Sequence, residues 1–182
     1  VQATNELSFK PKKSLIIVPQ TANPRYQVME KAGKVIVSTA AMKAIVEAKT
    51  GHIAFYSHDG KPLLSESKSG GKTIVPFKVP SREIGADSHL SEEQLQGVSW
   101  HALFDSPKDE AFYGLGQHQA EELNMKGKNE DLYQYNTKVS IPFVISNKNY
   151  GILWDSYSFC RFGNPEDYMQ LNRAFTLCNK EG

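Results

Sequence analysis

Val35-Ile36-Val37-Ser38-Thr39, Ala44-Ile45-Val46-Glu47-Ala48 and Ile53-Ala54-Phe55-Tyr56 follow one another early in the chain, and they decide the fold. β-Branched and aromatic residues dominate these runs, and such side chains fit a half-buried pleated surface better than a helix. After Tyr56, Asp59-Gly60 supplies the positive-φ positions of a tight hairpin turn, and Leu63-Leu64 opens the return strand. Outward from this stretch, Thr73–Val79, Val98–Phe104, Val139–Ile145 and Tyr150–Trp154 read as further strands, with Gly, Asn, Asp and Pro between them. Short strands at such spacing predict an all-β fold, an antiparallel β-sandwich or barrel.

Between the strands, Ser65–Lys72 is polar and glycine-rich and reads as a hairpin tip or mobile loop. Helix signals are sparse: about two weakly amphipathic turns over His118–Met125 and about one over Ser91–Gln96. Pro11, Pro19 and Pro24 punctuate the N-terminal stretch, which suits an edge strand and linker better than a core element. The expected organisation is an edge strand and linker over residues 1–30, then a β-sandwich domain over residues 31–182. The chain starts at Val1 rather than Met and stops in polar Asn179-Lys180-Glu181-Gly182, so it is expected to be cut at both ends.

The chain has 182 residues, enough for one domain that buries roughly 70% of its unfolded surface without a disulfide or metal. With 21 Lys+Arg against 20 Asp+Glu the net charge is +1, which lacks the basic footprint of a nucleic-acid or acidic-membrane binder. Mean hydropathy is -0.46 and no long apolar run occurs, so no transmembrane helix is expected. Cys160 and Cys178 are the only cysteines and have no close Cys/His spacing, which argues against structural zinc. Two buried thiols are the preferred reading and a disulfide between them the alternative. No Asn-x-Ser/Thr sequon is present.

Motifs with chemical meaning are few. Gly114-Leu115-Gly116-Gln117-His118-Gln119 begins like a dinucleotide fingerprint but lacks the third glycine and a βαβ context, so the glycines are read as bending a strand or letting backbones pass closely. Of the scattered histidines, only His118 lies in a segment rich in polar and glycine residues. Neighbouring carboxylates at Asp105, Asp109 and Glu110, at Glu121 and Glu122, and at Glu130 and Asp131 could serve glycosidic acid/base chemistry. Such adjacency is equally a solvated surface, and none is assigned a catalytic role. Tyr133, Tyr135, Phe143, Tyr150, Trp154, Tyr157 and Phe159 crowd the last third; their faces could stack on sugars, but Phe143 and Trp154 are expected in the core.

Ordered motifs also carry a resemblance. Phe112-Tyr113-Gly114-Leu115-Gly116-Gln117-His118 resembles the "fYGlGe" stretch of glycoside hydrolase family 31. Gly127, Leu132-Tyr133-Gln134-Tyr135-Asn136-Thr137, Ile141-Pro142-Phe143 and the Ser146–Asp155 strand pair continue it in order, and Val35–Leu64 is similar to the family's early hairpin. The variant around Gln117 and Asn136-Thr137 looks like the α-xylosidases and α-glucosidases of gut Bacteroides-type bacteria.

The resemblance, over about residues 30–160, implies a supersandwich related to galactose mutarotase that precedes a catalytic (β/α)8 barrel. That barrel, with its catalytic aspartates, would be missing here, and Trp154-Asp155 should carry no nucleophile. It implies no cofactor and two partners: the enzyme's own barrel and an α-linked oligosaccharide. Nucleic acid and a membrane span are not expected, and family habit suggests periplasm or cell surface. In the family, a loop of this domain reaches the rim of the sugar pocket. Asn136 and Thr137 occupy that place, so they are the candidate substrate-binding residues. Asn136 stands where the family often has Asp, keeping a hydrogen-bonding tip without the charge; it could equally be a turn residue bonded to its own backbone.

The preferred function is thus a non-catalytic N-terminal domain of a retaining α-glycoside hydrolase, with an unusually large apolar patch exposed when the barrel is absent. The alternatives are a stand-alone carbohydrate-binding module using exposed Tyr133, Tyr135 or Tyr157, and a mutarotase-like enzyme using His118 with a nearby carboxylate.

Overall fold

In the computed structural model, residues 7–8, 13–18, 25–78, 96–118, 123–134, 136–157 and 160–163 are described. The chain opens its sheet with β1 (Gln27–Lys31) and β2 (Lys34–Ser38), joined by Ala32 at φ 51 and Gly33 at φ 73. Two successive positive φ values match the twist of an antiparallel hairpin. β3 (Met42–Glu47), β4 (Ile53–Ser57) and β5 (Pro62–Glu66) extend the meander, each antiparallel to the one before. The Asp59-Gly60 turn falls between β4 and β5, with Gly60 at φ 87. Ser57 N donates to Lys61 O at 2.9 Å across the same turn.

β6 (Lys72–Lys78) pairs with β7 (Gln96–Ala102), and β5 pairs with β8 (Phe104–Asp105). Between these pairings, Ser67 N donates to Leu103 O and Leu103 N to Gly71 O, both at 2.8 Å. Residues 67–71 are therefore no hairpin tip; they are an excursion inside one long strand pair. Glu66 and Lys72 close its base. Glu66, buried, accepts from Ile53 N at 3.0 Å and from Lys72 Nζ at 2.5 Å. A buried carboxylate must be paired in this way, which holds the corner shut.

β9 (Phe112–Gln117), β10 (Glu130–Leu132), β11 (Val139–Ser146), β12 (Tyr150–Leu153) and β13 (Cys160–Phe162) complete the fold. Among the described residues the sheets are β1-β2-β3-β4-β5-β8, β6-β7, β12-β11-β9 and β10-β13, all antiparallel, with no closed barrel. Leu115, Met125 and Val144 form a buried cluster, with Phe112, Leu132, Ile152 and Phe162 packed against it. The cluster seats the β12-β11-β9 sheet on the β10-β13 ribbon as the two layers of a sandwich, and the Phe112 and Phe162 rings meet edge-to-face at 5.9 Å.

Among the described residues there is no helix, and none long and apolar enough to cross a membrane. His118 and residues 123–125 are non-helical, whereas residues 119–122 of that expected helix, and 91–95 of the other, lie outside the described residues. Gln96 begins β7 instead. Cys160 is half-buried on β13, and Cys178 lies outside the described residues.

Candidate functional site

The site grows from the backbone of β9. Gly114, Leu115 and Gly116 all have positive φ (131, 66 and 98), so the strand turns over within three residues and drives Leu115 into the core. A Cβ on Gly114 would stand 2.6 Å from Phe143 O, and one on Gly116 only 2.0 Å from Val139 O. The glycines thus let β9 and β11 touch backbone to backbone, as expected. Opposite the kink, the β9–β11 register shifts between Ser140 and Val144. A shift of this kind bends the strand locally, just past the loop that precedes β11.

That loop runs from Tyr133 to Thr137 and has two tied feet. Ser140 Oγ donates to Tyr133 O at 2.9 Å. Lys138 Nζ donates to Asp131 O at 2.5 Å and to Glu130 Oε2 at 2.9 Å, both on β10. Asp131 in turn accepts from Arg161 Nε of β13 at 2.6 Å. Above these ties Asn136 and Thr137 sit in an exposed turn, and Gln134 before it is exposed; Tyr135 lies outside the described residues.

His118 lies beneath the same loop, with Nε2 2.6 Å from Leu115 O and Nδ1 3.2 Å from Glu130 Oε2. Nδ1 makes no aligned hydrogen bond, and only 7% of the His118 side chain is exposed. His118 and Glu130 are therefore neighbours, as the acid/base reading would need, with only 7% and 18% of their side chains exposed. Among the described residues no group of three or more His, Cys, Asp or Glu is placed to hold a metal ion.

A second polar hub braces the start of β9. Glu110, 3% exposed, accepts from Ser106 Oγ at 2.6 Å and from Ser146 Oγ and Tyr150 OH at 2.5 Å. Burial pushes its carboxyl up, but the three hydroxyl donors, with the Lys126 charge, outweigh burial and hold it below the ordinary glutamate value. Tyr150 moves the other way: burial and the neighbouring carboxylate raise its hydroxyl above the ordinary tyrosine value. Sequence spacing gave Glu110 no role beside Asp109 and Asp105. Its signal is the two inward hydroxyls on β11 and β12, which only strand pairing brings to it.

The outward face of the β12-β11-β9 sheet is apolar. Val139, Ile141, Phe143 and Ile145 alternate outward along β11, with Tyr113 opposite Ile145 and Leu153 opposite Phe143. Ile145 is 50% exposed, Phe143 38% and Trp154 37%, so the core placement expected for Phe143 and Trp154 is wrong. The inward positions of β11 belong to Val144 and Ser146, and the alternation of a strand leaves Phe143 on the other side. Asp155, next to Trp154, is exposed.

Residues 1–162 match the family model of the glycosyl hydrolase 31 N-terminal galactose mutarotase-like domain. The chain belongs to this family. As a glycosyl hydrolase 31 N-terminal domain it superposes on a GH31 alpha-xylosidase from Xanthomonas citri with TM-score 0.70 and 37% identity, over 84% of this chain and 15% of that one. A GH31 alpha-xylosidase from a soil metagenome, complexed with xylose, gives TM-score 0.61 and 26% identity over 86% of this chain and 23% of that one. Among curated relatives, an alpha-xylosidase of Saccharolobus solfataricus is 29% identical over 80% of this chain and 19% of its own length. An uncharacterized family 31 glucosidase of Pseudescherichia vulneris is 27% identical over 86% of this chain and 30% of its own length. The chain thus spans less than a third of these curated relatives and corresponds to the N-terminal, non-catalytic domain of such glycosidases.

Proposed function

We propose that this domain works beside a catalytic (β/α)8 barrel of the same polypeptide, in a retaining α-glycosidase whose first substrates to try are α-xylosides and α-glucosides. In such an enzyme two barrel carboxylates serve as nucleophile and acid/base. The domain's part is to cover one side of the sugar pocket, exclude water and present Asn136 and Thr137 to the substrate. The observation that carries this reading is the apolar face of β9, β11 and β12, continuous through Val139 with the foot of the Asn136-Thr137 loop. A contiguous apolar surface of this kind is energetically placed against another folded surface. Similarity to alpha-xylosidases supports the substrate class. The proposal extends to a periplasmic or cell-surface location, which rests on the resemblance and is tested by cell fractionation.

A proton NMR time course on an α-xyloside and an α-glucoside tests the reading. The full-length polypeptide should release the α-anomer first, while the 182-residue chain alone leaves both cleavage and anomer interconversion at the buffer rate. Cleavage or accelerated interconversion by the 182-residue chain would overturn it. A second reading, a sugar-binding module in its own right, is favoured by the exposed rings of Tyr133 and Tyr157. Saturable binding of an oligosaccharide by the isolated chain, lost in Tyr133→Ala, would select it.

A further inference from the structure

We propose that Lys138 is the positioning residue of the Tyr133–Thr137 loop, its ammonium holding the loop in the conformation that presents Asn136 and Thr137. This rests on the reading that the loop contacts sugar, and deepens it. Lys138 is 9% exposed, an unusual place for a lysine, and its charge is balanced inside the fold rather than by solvent. Its Nζ is bound by Asp131 O and Glu130 Oε2, which fix the loop's C-terminal foot to the strand its N-terminal foot leaves. Glu130 Oε2 also lies 3.2 Å from His118 Nδ1, and Asp131 accepts from Arg161 Nε of β13, so the strand that carries the anchor is itself tied to β13.

Among the described residues of the loop, Tyr133, Gln134, Asn136 and Thr137 are all exposed, and Ser140 meets its first residues through Oγ to Tyr133 O and N to Gln134 Oε1. A short loop tied at both feet is pre-organised, and the ordering of its tip need not be supplied at the moment of sugar binding. A lysine fits this task because a flexible stem can reach two acceptors at once with a compact charge.

The test uses the full-length polypeptide with Lys138→Met, Lys138→Arg, Glu130→Gln and Asn136→Ala. Steady-state kinetics on p-nitrophenyl α-xyloside and α-glucoside are read beside hydrogen exchange of residues 133–140. Lys138→Met should raise exchange there and raise KM about three- to tenfold with kcat nearly unchanged, the effect of ordering one or two loop side chains on binding. Glu130→Gln should act in the same direction more weakly, and serves where Lys138→Met does not fold. Lys138→Arg should restore most of KM. Unchanged exchange at 133–140 in both Lys138→Met and Glu130→Gln would overturn the positioning role, as would a fall in kcat without a rise in KM. If exchange rises while Asn136→Ala and Lys138→Met leave KM alone, the anchor stands and the sugar-contact reading fails.

Discussion

Replacing Gly116 by alanine should break the contact between β9 and β11. At φ 98 an alanine sits in a backbone region reserved for glycine, which costs about 1–3 kcal/mol by itself. The new Cβ would also stand 2.0 Å from Val139 O and 2.9 Å from Ile141 N, both backbone atoms of the paired strand. No side-chain rotation relieves such a clash, so the strands must part at the Gly116–Ser140 and Gln117–Val139 pairings. Each backbone hydrogen bond lost there removes about 1 kcal/mol more. The expected destabilisation is about 3–5 kcal/mol, a large fraction of the roughly 5–15 kcal/mol that holds a domain together.

Gly127→Ala is the matched control. Gly127 has φ 74, but nothing lies within 4 Å of its added Cβ, so only the left-handed penalty of about 1–2 kcal/mol applies. Urea unfolding followed by circular dichroism reads both variants. Gly116→Ala should lie at least about 2 kcal/mol below Gly127→Ala, or fail to fold at all. Equal shifts for the two would refute the argument that the Gly-Leu-Gly kink exists to bring two backbones together.

Tyr150→Phe deletes one donor to the buried Glu110 carboxylate while leaving Ser106 and Ser146 in place, so urea unfolding should show a loss of about 1.5–3 kcal/mol. Because Glu110 titrates lower folded than unfolded, its stabilisation is complete above the ordinary glutamate value near pH 4.3 and is lost as pH falls through the folded value; unfolding free energy measured from about pH 6 to pH 3 should fall less steeply in Glu110→Gln. Ala32→Gly relieves a non-glycine residue held at φ 51 and should raise the thermal midpoint, with a gain of about 0.5–1 kcal/mol. Ile141→Ser with Ile145→Ser should cut binding of a hydrophobic dye to the isolated chain while changing its stability by less than about 1 kcal/mol; a large loss of stability would mean these side chains face the core.

The meander from β2 to β5 was legible because everything that defines it is local. β-Branched runs, an Asp59-Gly60 turn and neighbours in sequence that pair in space leave little for the rest of the molecule to decide. The paired β10 and β13 were not legible: each is only three residues long, and Glu130 meets Phe162 across the chain. Ser65–Lys72 reads as a hairpin tip by composition, yet its neighbours pair onward with a distant strand and make it an excursion. Asn136 and Thr137 could be placed on a loop from their motif, but the Lys138 anchor beneath them needs β10, β11 and β13 assembled first.

The sequence by itself determined the all-β class, the early hairpins and membership of the glycosyl hydrolase 31 N-terminal family, because strand propensity, turn chemistry and ordered motifs are properties of neighbouring residues. Tertiary structure alone decided that Glu110 is buried and hydroxyl-bound, that His118 meets Glu130, and that Phe143 and Trp154 face outward. A strand offers two faces of opposite fate, and only the packing of one sheet upon another chooses which becomes core.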